Sequence, residues 1–230
     1  MRSYLKFLTA CATFATISSA APLNAQGVFD LGALTSTITS NTAQQTGKPA
    51  GPVASVAAMT FKPSMDIRKQ NVTAFVGVMK KVNAEAGAQI EQAISQIDLI
   101  EEIGKGIAPF GLRTDSIVDG YTMYMITAWM AANGRTDLNT KEQADGTKNM
   151  VMATFSASPE LAKLSDEDKQ KFAEGMILNA FLYDGMLQSA AANPEAMANV
   201  KKEVRDAAKL LSIDLDLFDM TANGLVRKKK

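Results

Sequence analysis

From Ser64 onward the chain reads as a series of amphipathic helices. In "MDIRKQNVTAFVGVMKKVNAE" the apolar positions are Ile67, Val72, Phe75, Val78, Met79 and Val82, and the later members step by three and four along one helical face. A second run, "AGAQIEQAISQIDLIEEIGKGI", carries Ile90, Ile94, Ile97 and Ile100, with Gly104 and Gly106 as its stop. A third lies between Asp115, a good N-cap, and Asn133-Gly134, a good stop. Its Ile117, Tyr121, Tyr124, Ala128 and Trp129 mark one face, Val118, Met125 and Met130 widen it, and Met123 and Ile126 lie beyond it. Such a helix is covered on most sides and belongs at the centre of a bundle, its tyrosine hydroxyls reaching the rim for hydrogen bonds. Asp119 and Gly120 in its first turn leave it shorter than the ~20 apolar residues a bilayer needs.

Three further helices follow. One starts near Asn139 and ends before Pro159. The next opens at Ser165 with Asp168 three residues on, a pattern close to a capping box, and places Phe172, Met176, Ala180, Phe181 and Leu187 on one line together with Asp184. In the last, Asn193 caps, Pro194 takes the first helical position, and Met197, Val200, Val204 and Leu211 line one face. The segment "IDLDLFDMTANGLV" is apolar enough to dock, whereas Arg227–Lys230 reads as a solvated basic tail that could touch anionic lipid or cell-wall polymer. The pattern predicts an all-α, single-domain bundle of about six helices over residues 63–226.

The N-terminal part is different. Arg2 and Lys6 precede an uncharged, mostly apolar run, Phe7–Ala20, and "LNA" ends at Ala25, so residues 1–25 read as a signal peptide cleaved after Ala25, with Ala20 as the second choice. "LTAC" mimics a lipobox at Cys11, but most of the apolar run follows the cysteine instead of preceding it. An uncleaved anchor is disfavoured because the run is short for a bilayer. Residues 26–62 form a leader rich in Thr, Ser, Ala, Gly and Pro that cannot bury enough apolar surface to offset its ordering entropy, apart from a short strand or helix around Ala54–Phe61. Cleavage removes the one cysteine, which excludes a disulfide and thiolate chemistry from the mature chain. Lys plus Arg equal Asp plus Glu at 24 each, and losing Arg2 and Lys6 leaves about −2, so no charge excess points to nucleic acid.

The order "FKP", "FGL", "DSIVDGYTMYMITAW" and "IDLDLFDMTANGL" resembles a family of secreted bacterial helical proteins catalogued as a domain of unknown function. The resemblance spans about Phe61 to Leu225 and rests on Gly111-Leu112, Asp115 or Asp119, Tyr121, Tyr124 and Trp129. It implies export and an all-helical fold, and no activity.

Several chemistries are excluded by absence. Without histidine there is no Ser-His-Asp triad, HExxH zinc site or imidazole base. Ser-x-x-Lys occurs only at Ser3–Lys6, inside the signal. "GKGIAP" lacks the last glycine of a dinucleotide fingerprint. The acids Asp214, Asp216, Asp219 and Asp137, Asn139, Glu142 fail the EF-hand pattern and read as caps or solvated acids. Met123 with Met125 and Met150 with Met152 would point apart on a helix, at about 200° for residues two apart, so methionine reads as core filler and not a copper site. No cofactor is expected. The remaining candidates are Tyr121, Tyr124, Met125, Trp129, Phe181 and Asp184, which could line a cavity, with Asp184 on an apolar line where burial would raise its pKa. The leading expectation is an exported, non-enzymatic helical protein that binds a partner or supports the envelope. The alternatives are a carrier of a hydrophobic small ligand in that cavity and a histidine-free hydrolase or lyase using Asp and Tyr.

Overall fold

The computed structural model describes residues 55–137 and 139–228. The expected signal segment and the expected leader up to residue 54 lie outside them, as do the last two lysines. The described chain is an all-α bundle with one small antiparallel hairpin. Its helices are α1 (Met65–Val82), α2 (Ala84–Ile94), α3 (Leu99–Ile107), α4 (Ile117–Asn133), α5 (Lys141–Ser156), α6 (Pro159–Ala162), α7 (Asp166–Ala190) and α8 (Pro194–Leu210). The strands are β1 (Phe218–Thr221) and β2 (Gly224–Arg227).

Most helix ends follow their side-chain chemistry. Ser64, Ser165 and Asn193 accept hydrogen bonds from the first-turn amides of α1, α7 and α8, and Pro194 opens α8 without needing a donor. Gly134 ends α4 in the left-handed region, at φ 66°. Two expectations are corrected. The isoleucine-rich run is not one helix: Asp98 caps a new helix by accepting from the Glu101 amide, so the run divides into α2 and α3 across residues 95–98. Gly104 and Gly106 then sit inside α3, and the chain turns at Gly111, φ 73°. The cap of α4 is Ser116 and not Asp115, which pairs instead with Arg113. That division and the one-turn α6 account for eight helices in place of six.

The two long helices α4 and α7 form the centre. A Cβ on Gly120 would come within 2.8 Å of the Ala173 carbonyl oxygen, so the backbones touch where α4 carries no side chain and α7 only a methyl. Aromatic rings fill the adjoining space. Tyr121 stacks on Phe172 at 6.1 Å and leans on Phe155 at 5.2 Å, while Tyr124 meets Tyr183 at 5.9 Å. Both helices are buried on nearly every side: α4 is apolar almost all round, while α7 also buries Lys169, Gln170, Glu174 and Asn179.

The two ends of the described chain pack more closely than their composition suggests. Met59 and Phe61 are buried, the Phe61 amide donates to the Asp115 carbonyl at 3.1 Å, and Thr60 bridges to Ser116. Met59 and Phe61 thus anchor the end of the expected leader in the core, while Ser55, Ala57 and Lys62 beside them stay exposed. At the other end the tail forms the hairpin, with Phe218 opposite Arg227 and Thr221 opposite Gly224. The Leu225 amide donates to Thr147 Oγ1 at 2.9 Å and Gln143 Nε2 to the Thr221 carbonyl at 3.1 Å, which fixes the hairpin on α5. Arg227 is therefore a strand residue, and Lys228 pairs with Asp219 at 3.4 Å, so the first half of the basic tail is ordered.

Candidate functional site

The aromatic candidates are structural neighbours in a packed core. Tyr121, Tyr124, Met125, Trp129 and Phe181 are all buried, Tyr124 completely. The hydroxyls of Tyr124 and Tyr183 do not reach the rim: they are enclosed beside each other with no aligned hydrogen-bond partner. Burial pushes the hydroxyls of Tyr121, Tyr124 and Tyr183 far above the ordinary tyrosine range, so all three stay protonated and neutral near pH 7. Trp129 faces the C-terminal hairpin, donating from Nε1 to the Phe218 carbonyl at 2.9 Å, with Arg135 5.9 Å above its ring.

Asp184 is half-buried on α7, and its nearest polar partner is the Gln188 amide at 3.5 Å. Desolvation raises its carboxyl above the ordinary aspartate range, the Gln188 amide opposing. An acid whose folded pKa is raised costs the fold its full penalty above that pKa and nothing below the unfolded value. Wild type should therefore gain stability, relative to Asp184→Asn, as pH falls through the raised pKa toward the ordinary aspartate range. Urea midpoints of both proteins across acid pH measure this, and parallel curves would contradict it.

The Gly-Leu motif also has a structural reading. Lys148 of α5 reaches Asp119 at 2.7 Å and the Gly111 carbonyl at 3.2 Å, and the Arg113 amide donates to Asp119 at 3.1 Å. Asp119 thus latches the loop before α4 to α4 and α5. Desolvation raises its pKa, with Lys148 and the Arg113 amide pulling the other way. The C-terminal acids considered for calcium are likewise engaged: Asp214 caps a short 3₁₀ turn, Asp216 pairs with Arg205 at 3.0 Å and Asp219 with Lys228. Among the described residues no group of three or more His, Cys, Asp or Glu is placed to hold a metal ion, and no helix is long and apolar enough to cross a membrane.

A different surface has the geometry of a site. α1 and α2 form a hairpin about Asn83, which ends one and caps the other. A Cβ on Gly87 would lie 2.5 Å from the Lys80 backbone nitrogen, so the two helices touch at that end. Farther from the turn, between them, runs a half-open groove of about 400 Å³, within the range of small-ligand pockets. Val76, Ile94 and Leu99 are buried in its floor, Val72 and Ile97 are half-buried, and Met65 stands on its lip with 52% of its surface exposed. Its α1 side is the stripe Met65, Arg68, Lys69, Val72, Thr73, Val76, at the spacing of one helical face.

Behind the groove lies a buried polar network that sequence periodicity did not reveal. Glu174 of α7 has no exposed surface and accepts from Arg68 Nε at 3.1 Å, Asn71 Nδ2 at 2.7 Å and Gln170 Nε2 at 2.9 Å. Arg68 reaches forward to Asp98, the cap of α3, at 2.6 Å. Gln170 also accepts from the Ser64 amide and donates to the Ser64 carbonyl, both at 2.8 Å, so α7 grips the cap of α1. The one trace in the sequence is Gln170 and Glu174, four apart and therefore on one helical face. The network fixes the position of α1 against α7 and α3, and so the groove's shape. Neither family models, nor curated proteins, nor solved structures give a match to this chain.

Proposed function

We propose that the chain is an exported, non-enzymatic helical binding protein whose recognition surface is the groove between α1 and α2. The observation that carries this reading is the contrast between two regions: the aromatic candidates are spent on the core, while the groove leaves Met65 exposed and Val72 and Ile97 half-buried on a wall fixed by buried hydrogen bonds. A pre-formed apolar concavity with a few polar groups on its rim is the usual form of a ligand site. The charged, apolar and small-residue segments of residues 1–25 support export, as does the resemblance to secreted helical proteins.

Two measurements test the reading. In a Gram-negative host, N-terminal sequencing of the periplasmic protein should begin at Gln26, and a full-length cytoplasmic chain would contradict export. The uncharged fluorophore N-phenyl-1-naphthylamine should brighten on the purified protein. Ile97→Gln, in the groove, should abolish that signal, and Leu210→Gln, on an exposed part of α8 outside the groove, should preserve it. A signal insensitive to Ile97→Gln places the apolar site elsewhere and overturns the groove.

A further inference from the structure

We infer that the groove takes a single-chain amphiphile with one negatively charged head group, monomeric in solution, with the head at Lys69 and the chain along the apolar floor. The inference rests on the reading of the groove as the recognition site and adds the chemistry of the ligand. It follows from which charges around the groove are already compensated. Four ionisable side chains line it: Arg68, Lys69, Glu91 and Asp98. Arg68 and Asp98 pair at 2.6 Å, and Arg68 also answers Glu174. Glu91 pairs with Lys80 at 2.6 Å. Lys69 alone has no hydrogen-bond or ion-pair partner among the described residues, so one positive charge is left for a ligand. An added cation would meet Lys69 unshielded, whereas an added anion completes the only missing pair.

The apolar part of the ligand follows from the floor. On α1 the stripe from Met65 to Val76 covers about 16 Å at 1.5 Å per residue. Ile94, Ile97 and Leu99 join Met65, Val72 and Val76 in the apolar part of the trough, which a flexible chain can follow. Met65 is unbranched and adaptable and can fold over a chain lying below it. Lys69 can lay its methylene stem along the same trough and keep its ammonium at the rim, where a head group remains hydrated. Thr73 is exposed on the rim and offers its hydroxyl to that head, whereas the Ser95 hydroxyl already donates to the Gln92 carbonyl at 2.8 Å.

The test is calorimetric titration of the full mature protein with dodecanoate, dodecyl maltoside and dodecyltrimethylammonium, each below its micelle concentration. Dodecanoate should bind saturably, one per chain, and tighter than the cation. Lys69→Gln should weaken dodecanoate about two- to fivefold, as befits a solvent-exposed pair, and leave the maltoside unchanged. Lys69→Glu should reverse the preference between the anionic and cationic heads. Because Lys69 is exposed and unpaired, both variants should keep the wild-type circular dichroism and melting temperature. Equal affinity for the three heads, or no effect of Lys69→Gln, overturns the anionic assignment and leaves the groove standing. Binding of none of the three overturns the assignment and the groove together. Binding only to vesicles containing phosphatidylglycerol, and not to monomeric dodecanoate, overturns the monomeric ligand in favour of a membrane surface.

Discussion

Arg68→Met should cost about 3–5 kcal/mol, the range for breaking a buried ion pair by removing one partner. Glu174 is fully buried and keeps only the Asn71 and Gln170 amides once Arg68 is gone, two neutral donors for a desolvated carboxylate. Asp98 loses the same partner, but it is partly exposed and water can replace the guanidinium. The cost therefore sits on Glu174, and this makes a sharper second expectation. Arg68→Met combined with Glu174→Gln should be more stable than Arg68→Met alone, because the neutral amide removes the stranded charge while its carbonyl still accepts from Asn71 or Gln170. Denaturant midpoints of the two proteins decide it. A double variant as unstable as the single one would mean that lost packing, and not the charge, sets the cost.

Trp129→Ala should be comparably damaging, about 3–5 kcal/mol, the usual range for deleting a buried large aromatic side chain. That is a large share of the ~5–15 kcal/mol that holds a domain together. Trp129 is 7% exposed and its indole N–H is the tie between α4 and the first strand of the hairpin. Truncation should therefore release the hairpin as well as open a cavity. Trp129→Phe keeps most of the ring volume and strands the Phe218 carbonyl, and should cost about 1–3 kcal/mol if that oxygen stays buried. The tryptophan emission of the wild type should be blue-shifted and poorly quenched by iodide. A red-shifted, readily quenched Trp129 whose removal leaves the melting temperature unchanged would contradict its place in the core.

Much of the bundle was legible because its boundaries are local. Ser165, Asn193-Pro194 and Asn133-Gly134 announce helix ends by chemistry that acts within one turn. The break at Asp98 was hidden for a geometric reason. Ile90, Ile94, Ile97 and Ile100 continue a three-four spacing straight through a turn, so periodicity alone reports one helix where the cap makes two. The hairpin was hidden because two four-residue strands are too short for an alternating pattern to stand out, and their stability comes from α5 beneath them. The buried network could not be read at all from spacing, since Arg68 and Glu174 meet across 106 residues of chain. In the aromatic helix the candidate residues form a line of large side chains. What sequence could not say is whether such a line faces a cavity or other rings, and here Tyr121 and Tyr124 face Phe155, Phe172 and Tyr183.

The most direct test of the account is a titration of methyl-¹³C-methionine protein with dodecanoate, read by NMR. Methionines report from both competing regions: Met65 on the lip of the groove, Met125 and Met176 in the packed centre of α4 and α7. Recognition at the groove predicts that the Met65 methyl shifts saturably while Met125 and Met176 stay in place. Saturable shifts at Met125 and Met176 with Met65 unmoved would contradict it and return the binding site to the aromatic core.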